Sequence, residues 1–241
     1  MKGPLAVSLV VLAYFIAVAA LVQTSGGPLP QQLTLDVVAR LLANAALGYG
    51  PLLLALIGYE VWVERRRSVR EIFVGLGFRS QGARRSLLWS IGLFPVYAVV
   101  SVLTLMVASY TAPPSGGGTI PGWYPYYLVV DAFFPVAVVE EAFGRGFLLD
   151  RLMPAHPSGL LQAVPAILLS SLLFTLYHVP YYLAAYSFSP AHTLLLLAVN
   201  VFPLSILLAG AYVRSRARNV AGPVLIHFLL DALPYVLFVV L

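Results

Sequence analysis

Apolar runs long enough to cross a bilayer recur along this chain, and that recurrence limits its fold more than any other feature. A helix needs about 20 predominantly apolar residues to span the hydrocarbon core. Runs of that kind are read at 1–21, 37–63, 87–110, 126–152, 160–183, 192–213 and 222–241. Inside lipid the backbone must satisfy its own hydrogen bonds, which leaves helices as the expected spanning form. The sequence therefore predicts an all-α, polytopic transmembrane bundle of seven to eight helices. Composition agrees: 61% of the residues are hydrophobic and 10% are charged, against about 45–50% and 25% in soluble domains. That balance excludes a soluble domain, a disordered chain and a nucleic-acid binder. The spans consume nearly all of the 241 residues, so 1–241 reads as a single integral-membrane domain.

The first run follows one Lys and resembles a signal peptide. Its apolar stretch is long for one, and Gln23-Thr24-Ser25 is a poor small-residue cleavage site, so it reads as a retained helix. Asp36 is the expected N-cap of the second span. Pro95, Pro135, Pro165, Pro203 and Pro234 fall inside spans, which neighbouring helices in a membrane bundle tolerate.

Arg residues set the expected orientation. Arg65, Arg66, Arg67, Arg70, Arg79, Arg84 and Arg85 lie between the second and third spans. Arg145 and Arg151 lie late in the fourth, and Arg214, Arg216 and Arg218 between the last two. The alternate connections contain no Lys or Arg, which places the N-terminus in the cytoplasm of a multi-pass cell-membrane protein. Arg40 is the exception, near enough to a helix end to snorkel. The net charge of +5 then belongs to loops facing an anionic leaflet. The lone Lys among fourteen basic residues points to a GC-rich prokaryote. Cys is absent, which excludes disulfides and thiolate metal sites. The stretch 111–122, with Pro113-Pro114 and Gly116-Gly117-Gly118, reads as a flexible outer loop. No internal repeat is visible, against a two-fold transporter.

Ionisable residues within spans are costly and are suspects for function. They are Glu140, Glu141, Arg145, His178, His227 and Asp231. Glu141 and Arg145 stand at i,i+4 on one helical face and can pair. Glu140 points about 100° away, without that partner, and suits a general base. His178 precedes Pro180 near the end of its span. His227 and Asp231, again i,i+4, can bind a metal, can place the carboxylate to orient the imidazole, or can form a helix–helix hydrogen-bond pair. His156 and His192 are assigned to loops, Glu60 and Glu64 to pairs with the following Arg run. Asp131 and Asn200 belong to no constellation.

Glu140-Glu141-x-x-x-Arg145, then Phe174-x-x-x-His178, then His227-x-x-x-Asp231 resembles the signature of the CAAX-protease and bacteriocin-processing family (CPBP, or Abi) of intramembrane proteases. The segment Phe73-Val74-Gly75-Leu76-Gly77-Phe78-Arg79 and the run into His227 are also similar, so the likeness covers about residues 72–241. The resemblance implies a membrane endopeptidase in which Glu140 activates a water and His178 helps position or deprotonate it. His227 and residue 231 would stabilise the oxyanion or ligate a metal, and Glu141 with Arg145 would support the helix. Asp231 departs from family members that carry Asn. An ionised Asp repels an oxyanion, so it must be protonated, pair with His227 or bind metal. The implied cofactor is none or one divalent metal such as zinc, with Glu140, His178, His227 and Asp231 as candidate ligands. The implied partners are the bilayer and a peptide or membrane-anchored protein, prenylated in the CAAX case. A proton-coupled transporter and a non-catalytic immunity or scaffold protein are the alternatives.

One mismatch accompanies this reading. At about 1.5 Å per residue, span midpoints set His227 about one turn from Glu140 toward the cytoplasm and His178 nearly two turns the other way. Misplaced span boundaries are the expected cause.

Overall fold

A computed structural model describes Ala13 and residues 34–111, 124–154, 160–185, 190–215 and 218–235. Seven helices occupy these residues, and no strand occurs among them. They are α1 (Leu35–Trp62), α2 (Val69–Gly75), α3 (Ala83–Thr111), α4 (124–152), α5 (Leu160–Ala185), α6 (Pro190–Arg214) and α7 (Ala221–Tyr235). The protein is an all-α helical bundle. Four helices are long and apolar enough to cross a membrane: α1, α3 over Ala83–Thr104, α5 over Leu160–Pro180, and α6; the apolar part of α7, Ala221–Leu233, is shorter. The expected first span apart from Ala13, the outer loop over 112–122, and His156 lie outside the described residues.

α4 holds the bundle together. It packs against α1, α5, α6 and α7, while α3 packs against α6 and α7. Every residue from Glu140 to Leu149 is buried, so its charged side chains face protein rather than lipid. Much of α4 is π-helical, at Leu128–Val139 and Ala142–Leu149. Such stretches are uncommon and recur at functional sites. Two glycines bring neighbours against it. A Cβ on Gly144 would stand 2.8 Å from the Phe174 ring, and one on Gly146 would collide with the Leu76 carbonyl oxygen. Lipid-facing surfaces carry the apolar residues that stay exposed, such as Leu54, Val99, Leu103 and Leu172.

One end of the bundle is tied by ion pairs. Asp150 meets Arg79 at 3.2 Å and Arg218 at 3.1 Å and accepts from the Tyr212 hydroxyl at 3.2 Å. Glu60, fully buried, pairs with Arg66 at 3.5 Å as the Arg-run reading expected, and also with Arg151 of α4. Gly75 lies against it, and a Cβ there would overlap the Glu60 carboxylate unless that side chain shifted. α2 begins with a reciprocal Ser68–Glu71 capping box. The Arg67 and Ser68 backbone N–H groups hold the Glu71 carboxyl below its ordinary range. Asn219 accepts from the Ala221 backbone N–H at 2.8 Å and donates to the Arg79 carbonyl, while Val220 N–H bonds Gly77 O at 3.1 Å. Gly77 has φ +88°, a conformation favourable only to glycine.

Three expectations need correction. The N-cap of α1 is Thr34, whose hydroxyl accepts from Val37 N–H at 3.3 Å; Asp36 sits in the first turn and pairs with Arg40 at 3.0 Å. His192 lies in α6 rather than a loop, because the helix starts two residues earlier, at Pro190. The depth mismatch does not come from boundaries, which stand within two residues at both ends of α4 and α5 and at the start of α7. Glu140, His178 and His227 meet all the same.

Candidate active site

Four helices contribute to one cluster. Glu140, 3% exposed, comes from α4; its Oε1 accepts a hydrogen bond from the Tyr49 hydroxyl of α1 at 3.1 Å. Its Oε2 lies 3.6 Å from His178 Nε2 of α5 and 3.8 Å from His227 Nε2 of α7. That oxygen is buried and accepts no hydrogen bond among the described residues. Both separations are too long for direct hydrogen bonds. A water seated between these atoms can reach more than one of them.

Each imidazole is held from its other nitrogen. His178 Nδ1 bonds the Phe174 carbonyl at 2.8 Å, one helical turn back. Since a carbonyl only accepts, the proton is on Nδ1, and Nε2 of the neutral ring presents its lone pair to Glu140. His227 Nδ1 lies 2.8 Å from Glu141 Oε1, and because a carboxylate likewise only accepts, this nitrogen carries a proton. Fixing the ring through its far nitrogen is how proteins orient catalytic and metal-binding imidazoles.

Glu141 therefore has two tasks. Its Oε1 also meets Arg145 Nη1 at 2.9 Å, and both residues are at most 1% exposed. Arg145 Nη2 donates to the Ser205 backbone oxygen at 3.2 Å and hydroxyl at 3.0 Å. Its guanidinium lies 4.4 Å from the centre of the Phe174 ring, a cation–π contact. The ring that Gly144 admits thus supports Arg145 from its face, while the same residue's carbonyl holds His178. Arg145 is an internal residue and gives no information on sidedness.

Asp231 completes the group, with Oδ2 at 3.9 Å from His227 Nε2 and no hydrogen bond at that oxygen among the described residues. His178, His227 and Asp231 line a cavity of roughly 200 Å³ together with Phe174, Ser205 and Asn200. Glu140 is not among the lining residues; it adjoins two of them, His178 and His227. All six ionisable residues singled out from the sequence meet here. Sequence reading missed Tyr49 and Ser205, single hydroxyls in apolar helices with no spacing that links them to Glu140 or Arg145. Asn200 was noticed only as an unexplained polar residue in a span.

Two imidazoles and carboxylates have the chemistry of a catalytic zinc set. Ligands sharing a tetrahedral zinc at about 2.0–2.1 Å stand about 3.3 Å apart. The Glu140 separations are wider, and no group of three or more His, Asp or Glu among the described residues is placed to hold an ion. The side chains as they stand do not fit a shared metal.

Residues 121–233 match the family model for Type II CAAX prenyl endopeptidase Rce1-like. The matched segment contains Glu140, Glu141, Arg145, His178, His227 and Asp231, and over it the chain is similar to the CAAX-protease family. No curated protein and no solved structure matches the chain.

Proposed function

We propose that this membrane protein, similar to the CAAX-protease family over residues 121–233, is an intramembrane endopeptidase whose water is activated by Glu140. The observation that carries the reading is the convergence of Glu140 Oε2 with the Nε2 atoms of His178 and His227 beside a cavity. Isolated ionisable groups are costly at membrane depth, and a cluster drawn from three helices calls for a use. Substrates are peptides or membrane-anchored proteins, with a prenylated C-terminal segment as the family-level expectation.

The water sits between Glu140 Oε2 and His178 Nε2, on the cavity side. Glu140 takes its proton, and the oxygen attacks the scissile carbonyl carbon. The C=O π pair moves onto the carbonyl oxygen, forming a tetrahedral oxyanion. His227 donates from Nε2 as the imidazolium, and Asp231 donates in its protonated form, each toward that oxygen. Donors fixed in place before charge develops are the largest contribution in many such sites. The C–N bond then breaks as Glu140 returns the proton to the leaving nitrogen. Glu141 and Arg145 position His227 without touching substrate. No step is routed through a metal.

The test is cleavage of a peptide library by detergent-purified protein, compared with Glu140→Gln and repeated with chelator. Turnover should be lost by a factor of roughly 10² or more in the variant and should survive chelation. Activity abolished by chelator and recovered with zinc overturns the metal-free mechanism. Cleavage unchanged in Glu140→Gln overturns the assignment of the base.

A further inference from the structure

Asn200 is a polar residue of the cavity that the proposed chemistry does not use. It lies in a π-helical turn of α6, Leu197–Val201, a distortion that frequently marks functional positions. Thr104 of α3 steadies the adjoining backbone, its hydroxyl donating to Val100 O at 2.9 Å and Val199 O at 3.4 Å. Asn200 shares the cavity wall with His178, His227 and Asp231, and its Oδ1 is buried with no hydrogen-bond partner among the described residues. The neighbouring wall is apolar, formed by Val201, Leu204, Leu208 and Leu230. A carboxamide oxygen buried without a partner in such surroundings is costly unless something supplies the missing bond. Whichever way the amide is turned, it offers one donor edge and one acceptor edge. A peptide group offers the complementary pair.

We infer that Asn200 is a substrate-positioning residue whose carboxamide hydrogen-bonds a backbone peptide group of the chain held in the cavity, with the aliphatic wall taking an adjacent apolar side chain. The inference deepens the endopeptidase reading and rests on it for the identity of the occupant. Asn200 does not touch the bond being broken. It fixes the register in which the substrate passes His178 and His227.

The test separates binding from chemistry. Asn200→Leu conserves side-chain size and removes both hydrogen-bonding groups; Asn200→Asp keeps the shape but loses the donor. Each should raise KM about tenfold for a peptide that the wild type cleaves, with kcat little changed, as expected for a bond made equally in ground and transition states. Replacing successive substrate amides by esters should reveal one position where the wild type loses affinity and the Leu variant loses nothing further. A merely structural role would change kcat and thermal stability without singling out any ester position. An unchanged KM in both variants, or no ester position coupled to residue 200, overturns the inference. The same fluorescent peptide is titrated onto Glu140→Gln and onto Glu140→Gln/Asn200→Leu. Peptide held through Asn200 but never cut by the wild type keeps this inference and removes the endopeptidase reading. Cutting that is indifferent to residue 200 does the reverse, and absence of any peptide binding overturns the inference.

Discussion

At the scale of single residues, the Glu141–Arg145 pair and Asp231 behave differently under substitution. Glu141 and Arg145 are both at most 1% exposed and share one carboxylate oxygen at 2.9 Å. Removing one member leaves the other charge buried, which in proteins costs about 3–5 kcal/mol. Arg145→Ala should accordingly lower the unfolding midpoint in detergent strongly. It should also weaken catalysis through His227, which shares Glu141 Oε1 at 2.8 Å. If turnover vanishes while the midpoint stays put, Arg145 contacts substrate instead. Asp231 discriminates between mechanisms. Asn donates a hydrogen bond at any pH, whereas Asp donates only when protonated, so Asp231→Asn should keep or raise activity and soften its loss at high pH. A fall in activity that excess zinc partly restores would point to a metal-bound carboxylate. The pH–rate profile of the purified variant, with and without added zinc, gives the answer.

At the scale of elements, glycines decide how closely helices approach. Gly146 lets α4 lie against the Leu76 carbonyl at the end of α2, where a methyl group has no room. The obstacle is backbone, which cannot rotate away. Gly146→Ala should therefore cost about 1–3 kcal/mol, seen as a lower thermal midpoint in detergent. Gly92 of α3 is the control, since a Cβ there meets nothing within 4 Å. Gly92→Ala should be neutral or stabilising by up to about 1 kcal/mol, from helix propensity and a less flexible unfolded chain. Equal effects at both positions would refute the packing argument. The start of α7 belongs to this scale too. Asn219 and Val220 anchor it to the Gly77–Arg79 connection, a set of contacts that no helical periodicity announces.

At the scale of the whole molecule, ion pairs gather Arg66 and Arg79, between α1 and α3, and Arg218, between α6 and α7, at one end with Glu60 and Asp150. We take that end as cytoplasmic, from the positive-inside tendency. The absence of Cys makes a direct test simple. Arg67→Cys should be labelled by an impermeant maleimide only after the membrane is opened, and Tyr126→Cys in intact cells. The opposite pattern reverses the topology without touching the site.

Local physics explains how much of this protein was legible in one dimension. A residue's cost in lipid is nearly independent of its neighbours, so hydropathy alone located α4 and α5 within two residues at each end. The same cost made Glu140, Glu141, Arg145, His178, His227 and Asp231 stand out before any contact was known. What the sequence could not contain was the relative height and approach of the helices. Those follow from side-chain shape across pairs distant in the chain, such as Phe174 filling the space left by Gly144. Only that packing brought Tyr49 to Glu140 and Ser205 to Arg145 and placed Asn200 on the cavity wall. A lone hydroxyl or amide in an apolar helix carries too small a penalty to mark itself, and tertiary structure alone gives it a neighbour.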